Sequence, residues 1–247
     1  MHPLRIEPLG DQALRVVFGT SISVETNQHI RSLSWMLKEQ KIEGVLEWVP
    51  TYTTLTVYYD PLIISFSSLE EKMQYLAVGT GDVPPAKIYR LPVYYGGDMG
   101  PDLQKVSEQN GLEWEKVIQI HSAKSYLIYM LGFTPGFPYL GGMDERLATP
   151  RLAVPRRQVA AGSVGIAGAQ TGVYSINSPG GWNIIGRTPV KLFDPGQSVP
   201  VLLEAGNYIR FTPVTLEQYK EITEQLEEGT YEVSYEEGTS DGASSRP

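Results

Sequence analysis

The chain has 247 residues, 41% of them hydrophobic, with no cysteine and three histidines, His2, His29 and His121. That composition suits one large or two modest globular domains, excludes disulfides and thiolate catalysis, and leaves no His-rich metal site. The formal net charge is −8, but residues 217–237 alone hold eight Glu and one Lys; the remaining body is nearly neutral, which argues against a nucleic-acid partner.

The N-terminus lacks the apolar core of a signal peptide. The longest apolar run, YLIYMLGF (126–133), is too short to span a bilayer. A cytoplasmic protein without membrane contact is expected. Residues 4–19 read as two strands joined at Gly10-Asp11, a hairpin signal. Ile22 to Gln40 reads as a helix with Ser23 as N-cap. Residues 45–60 give two β-rich runs around Pro50. Residues 65–79 read as a helix with a Ser67–Glu70 capping box and Gly79 as its stop. These elements make a small α/β domain over residues 1–84, with a Gly/Pro linker at 79–87.

The second part opens with a strand over 87–97, helices over 100–111 and 112–123, and a buried strand over 126–133. From 131 to 216 short β runs alternate with Gly/Pro turns: VGIAG, GVYSIN, WNIIGRT, VKLFDP, VPVLLEAG and NYIRFTP. That pattern indicates a closed or two-layer β structure over 85–230. A helix is expected over 214–228, and an acidic, disordered tail over 231–247. The fold class is α+β.

Two glycine clusters invite a nucleotide-loop reading. In AAGSVGIAGAQTG (160–172), Gly162, Gly165, Gly168 and Gly172 lack the G-x-G-x-x-G spacing. Residues 181–188 have Walker A spacing, with Arg187 in place of lysine. That motif needs a helix at its end, whereas Pro189 follows and VKLFDP reads as a strand. The glycines therefore read as turns and sites of close backbone packing. Yet residues 131–189 hold five arginines (Arg146, Arg151, Arg156, Arg157, Arg187), no lysine and two acids, and guanidinium forks with glycine-turn amides suit an anion.

The candidates are Arg157 and Arg187 as substrate or phosphate contacts, with the Gly168 and Gly172 backbone. Gln170 either orients a substrate amide or satisfies a turn. His121, ending a predicted helix, is either a general acid/base or a capping and packing residue. Phe133, Phe137 and Tyr139 form either a partner groove or core. No metal-ligating set emerges.

The runs LGFTPGFPYLGGMDERLATPR (131–151) and VPRRQVAAGSVGIAGAQTGVYSINSPGGWNIIGRTPVKLFDP (154–195), with RIEPLGDQALRVVFG (5–19), closely resemble the KipI family. This family is also known as the B subunits of 5-oxoprolinase, or allophanate hydrolase subunit 1, a carboxyltransferase-type domain. The resemblance covers residues 5–228. It implies a cyclophilin-like β barrel for the second domain, without prolyl isomerase activity. It implies a subunit, inactive alone, of a bacterial ATP-dependent 5-oxoprolinase that converts 5-oxo-L-proline to L-glutamate. The implied partners are a KipA-like C subunit and a LamB/YcsF-like A subunit, with Mg-ATP shared with a partner. The same resemblance implies an alternative, inhibition of a sporulation sensor histidine kinase relieved by a KipA-like partner. A third use is as half of the carboxyltransferase unit of a biotin-dependent urea carboxylase.

Overall fold

The computed structural model describes residues 4–78 and 83–238. The chain divides into two compact units, Met1–Pro85 and Ala86–Pro247.

In the first unit, strands β1 (Arg5–Pro8), β2 (Ala13–Val17), β3 (Val45–Pro50) and β4 (Thr54–Tyr59) form an antiparallel sheet in the order β1-β2-β4-β3. Gly10 turns the first hairpin with φ 68°. Alternate residues Leu14, Val16, Leu55, Val57 and Tyr59 point into a core shared with Ile30, Leu33 and Leu37 of α1 (Val24–Gln40) and Leu69 and Met73 of α2 (Phe66–Val78), the period-2 and period-3.6 patterns of buried faces. Ser23 caps α1, accepting from the Thr26 amide at 3.0 Å. The cap of α2 is Ser65, whose hydroxyl accepts from the Ser68 amide at 3.2 Å. The expected cap, Ser67, already lies inside the helix, which starts one residue earlier. Gly79, the expected stop, and linker residues 79–82 lie outside the described residues.

The second unit is a nearly closed sheet. Its strands are β5 (Ala86–Tyr95), β6 (Ser125–Leu131), β7 (Pro138–Gly141), β9 (Ser163–Ala167), β10 (Gln170–Val173), β12 (Asn183–Arg187) and β13 (Tyr208–Pro213). They run in the order β10-β9-β12-β5-β13-β6-β7, and the two ends, β10 and β7, lie side by side. A two-stranded ribbon of β8 (Arg156–Val159) and β11 (Ser178–Gly180) accompanies the sheet. Helices α3 (Leu103–Asn110) and α4 (Trp114–Ser122) supply Val106 and Val117 to a core with Leu91, Ile128, Ile166, Ile185 and Phe211. A second, smaller core holds Phe137, Val159, Ala167, Tyr174, Trp182 and Ile184. Helix α5 (Leu216–Glu228) opens with a capping box between Thr215 and Gln218 and ends at left-handed Gly229. Among the described residues no helix is long and apolar enough to cross a membrane.

Two expectations fail. VKLFDP and VPVLLEAG are not strands; their only bridge joins Phe193 to Val201. Leu192 and Leu203 are buried, but Pro195 and Pro200 lack the amide protons a ladder needs. The Walker reading still fails, because Gly186 and Arg187 lie within β12 and no helix follows. The second failure is the tail. Residues Tyr235–Gly238 form β14, antiparallel to the first half of β5. Strand β12 pairs with only the Tyr94–Tyr95 end of β5, so the rest of that edge is open to β14. The Glu236 carboxylate accepts from Arg90 at 2.8 Å and Arg210 at 3.3 Å, and the Lys87 ammonium lies 4.7 Å from the Tyr235 ring centre. These acidic residues pair with a basic strand edge instead of facing only solvent. Residues 239–247 of the expected tail lie outside the described residues.

Candidate functional site

The glycine loop builds a platform for one tryptophan. Gly165 and Gly172 face each other across β9 and β10. A Cβ on Gly172 would stand 3.1 Å from the Trp182 ring and 3.4 Å from Phe137; one on Gly165 would stand 3.2 Å from Trp182 and Ile184. The missing side chains leave room for the indole, which is itself buried. Phe137 meets Trp182 edge-on at 5.7 Å between ring centres and Tyr174 at 5.8 Å, the tilted geometry that aromatic quadrupoles favour.

The backbone around this indole is fixed by buried polar groups. Asn183 is fully buried; its Nδ2 donates to the Pro150 carbonyl at 2.8 Å and to Ile166 at 3.2 Å, and its Oδ1 accepts from Lys105 Nζ at 3.0 Å. The Leu152 amide donates to the Gly181 carbonyl at 2.7 Å. Asp102, just before α3, accepts from the Ile184 amide at 2.6 Å and from Arg156 Nη2 at 2.7 Å. Arg156 Nη1 also donates to the Trp182 carbonyl at 3.2 Å. The Arg151 guanidinium lies over the Trp182 ring, 6.0 Å from its centre. Three cations, Lys105, Arg151 and Arg156, thus converge on residues 182–183 against a single carboxylate. In a protein of net charge −8, this corner is locally cationic and suits an anionic ligand.

The residues expected from the sequence do not all gather there. Arg157 is exposed on β8, next in sequence to Arg156. Gln170 is half-buried at the start of β10, beside the hairpin turn. Gly168 makes that turn with φ 58°, and its amide is spent on the Thr149 carbonyl at 2.7 Å. Gly172 is buried beneath the indole. Neither glycine presents the phosphate contact assigned to it, because one amide is bonded and the other residue is covered. Arg187 lies four residues beyond Asn183 on β12, about 13 Å along the strand. Its Nε is buried without a partner, and it is not part of the corner. Of the aromatic groove, Phe137 is core, Tyr139 is half-buried, and Phe133 is 72% exposed with φ 64°.

His121 is a core residue with no solvent exposure. Thr171 Oγ1 donates to the Gly165 carbonyl at 3.1 Å and therefore accepts from His121 Nε2 at 2.8 Å. His121 Nδ1 then accepts from the Tyr95 hydroxyl at 2.8 Å. The ring stacks on Phe211 at 4.6 Å, and burial lowers its pKa to about 3. Both nitrogens are occupied and the ring stays neutral, so the acid/base role is corrected to a packing role. The chain from Tyr95 to Thr171 fixes β10 at the residue next to Gly172.

Sequence reading missed Asp102, Lys105, Trp182 and Asn183. The first two come from a helix start about eighty residues away, a distance no local motif bridges. Arg151 and Arg156 were visible only as members of the arginine-rich stretch.

The carboxyltransferase domain family, subdomains C and D, matches residues 4–203, and the chain belongs to it. Among relatives, it is 43% identical over 233 residues to the 5-oxoprolinase B subunit of Bacillus subtilis (strain 168), spanning 90% of this chain and 97% of that one. The crystal structure of TTHA0988 matches with a TM-score of 0.75 and 34% identity, over 85% of this chain but only 41% of that longer one. The urea carboxylase of Kluyveromyces lactis shares the fold, with a TM-score of 0.70 at 19% identity over 95% of this chain and 24% of that one.

Proposed function

We propose that this chain is the B subunit of an ATP-dependent 5-oxoprolinase, acting with a KipA-like C subunit and a LamB/YcsF-like A subunit. The observation that carries the reading is its 43% identity to a 5-oxoprolinase B subunit along 97% of that protein. The reaction is 5-oxo-L-proline, ATP and water to L-glutamate, ADP and phosphate. A five-membered lactam is a poor electrophile, and phosphoryl transfer to its carbonyl oxygen makes the carbon open to water. Substrate carboxylate and transferred phosphoryl are both anionic, and the cationic corner at Trp182–Asn183 offers guanidinium and ammonium donors to such groups.

The glycine turn Gly96–Gly100 runs into α3, but the Asp102 carboxylate stands at that helix start, accepting from the Ile184 amide and Arg156, which disfavours a phosphate there. ATP is read as shared with a second chain of the complex, and this chain alone as inactive. A cytoplasmic location fits a protein that consumes ATP. The test is reconstitution of the three purified subunits with 5-oxoproline and Mg-ATP, following glutamate release. Activity that needs this chain supports the reading; an unchanged rate without it refutes it.

A further inference from the structure

Among the arginines of residues 131–189, three differ from the rest in having no carboxylate partner. Arg146 is held by Asp144, whose carboxyl it keeps well below the usual range. Arg156 is held by Asp102. Arg151, Arg157 and Arg187 have no carboxylate partner among the described residues. Of these, Arg151 alone lies on a prepared support. Its neighbours are tied down on both sides, Pro150 through its carbonyl to Asn183 at 2.8 Å and Leu152 through its amide to Gly181 at 2.7 Å. Its guanidinium lies over the ring of Trp182, which is only 8% exposed and is set by the floor of Gly165 and Gly172. Arg151 itself is exposed.

A free surface arginine loses rotamer entropy when it grips a ligand. Here the backbone is fixed on both sides and the guanidinium lies within cation–π range of the indole, while its N–H edges have no acceptor among the described residues. Lys105 and Arg156 add positive potential at the same corner, and Asp102 offsets only one charge. Arg156 is less suited to the same part, because its charge is paired with the Asp102 carboxylate and its fork is also turned toward the Trp182 carbonyl.

We propose that Arg151 anchors the carboxylate of the lactam substrate, an inference that rests on the 5-oxoprolinase reading above. A planar guanidinium fork beside an indole face matches a planar two-oxygen acceptor in a bidentate pair. A tetrahedral phosphate is better served by donors arrayed around it, so the alternative source of the anion, ATP, is an outcome of the test.

The experiment uses the reconstituted three-chain complex carrying wild-type chain, Arg151→Ala or Arg151→Lys. KM for 5-oxoproline and KM for Mg-ATP are measured separately, and circular dichroism checks that each variant is folded. The expected result for Arg151→Ala is a rise in KM for 5-oxoproline of roughly 10- to 100-fold, with KM for ATP unchanged. Arg151→Lys, which keeps the charge but not the fork, falls between, and it serves as the test if the alanine variant does not fold. A rise confined to KM for ATP, or no change in either constant, overturns the proposal while leaving the 5-oxoprolinase reading intact. An inactive wild-type complex overturns both.

Discussion

Gly172 lies directly beneath Trp182, and a Cβ at that position would stand 3.1 Å from the indole and 3.4 Å from Phe137. Gly172→Ala should therefore overpack a small aromatic core, at a cost of about 1–3 kcal/mol. Gly168→Ala is the control, since nothing lies within 4 Å of its added carbon and the only penalty is the left-handed φ of 58°, about 1 kcal/mol. Denaturant unfolding of the two variants should rank Gly172→Ala as the more damaging. Equal midpoints would show that the indole moves aside freely.

His121 gives stability a pH dependence of known sign. Its pKa is about 3 in the folded chain, against 6.5 for an ordinary histidine. Between those values the unfolded chain binds the proton and the folded chain does not. The contribution is complete above pH 6.5 and is lost as pH falls toward 3, by an amount on the order of a few kcal/mol. Urea midpoints at pH 7 and pH 4.5 should differ more for the wild type than for His121→Phe. Parallel shifts in the two proteins would assign the acid sensitivity to other groups.

Asp102 ties α3 to β12 and also holds Arg156. Asp102→Ala leaves the Ile184 amide and the half-buried guanidinium of Arg156 without their acceptor. A loss of about 2–4 kcal/mol is expected, with reduced activity in the reconstituted complex because the cationic corner loses its frame. Thermal unfolding of Asp102→Ala beside Asp102→Asn checks this, since the amide of the latter keeps one acceptor oxygen.

Glu236 is shared by two arginines, Arg90 and Arg210, whose side chains are 43% and 24% exposed. Solvent screens much of the pairing, so Glu236→Gln should cost only about 1 kcal/mol. The loss should shrink in high salt. A salt-independent loss would mean that the carboxylate acts mainly by shape.

Much of the architecture was legible because it is local. The Gly10 hairpin, the Ser23 cap and the alternation of Leu14 and Val16 each depend on residues a few positions apart. The failures are long-range. Residues 231–238 look like solvated tail until the unpaired edge of β5 and the cations Lys87, Arg90 and Arg210 are seen beside them. His121, at the end of a predicted helix, could be read as acid/base or as packing; only the fold surrounds it with Phe211, Tyr126 and Tyr95 and decides for packing. The glycine spacing correctly suggested close packing but could not name Trp182 as its occupant. The cationic corner was half visible, since Arg151 and Arg156 lie within the motif, whereas Lys105 and Asp102 arrive from another helix.

Strand β14 has a bearing on how the protein behaves in concentrated solution. By lying on Ala86–Tyr89 it occupies main-chain donors and acceptors that would otherwise form a bare strand edge, the kind that recruits strands from other molecules. A chain cut after residue 230 should keep its barrel core yet expose that edge together with its basic side chains. Such a chain would be expected to self-associate and precipitate on concentration, while the chain that keeps residues 235–238 stays dispersed.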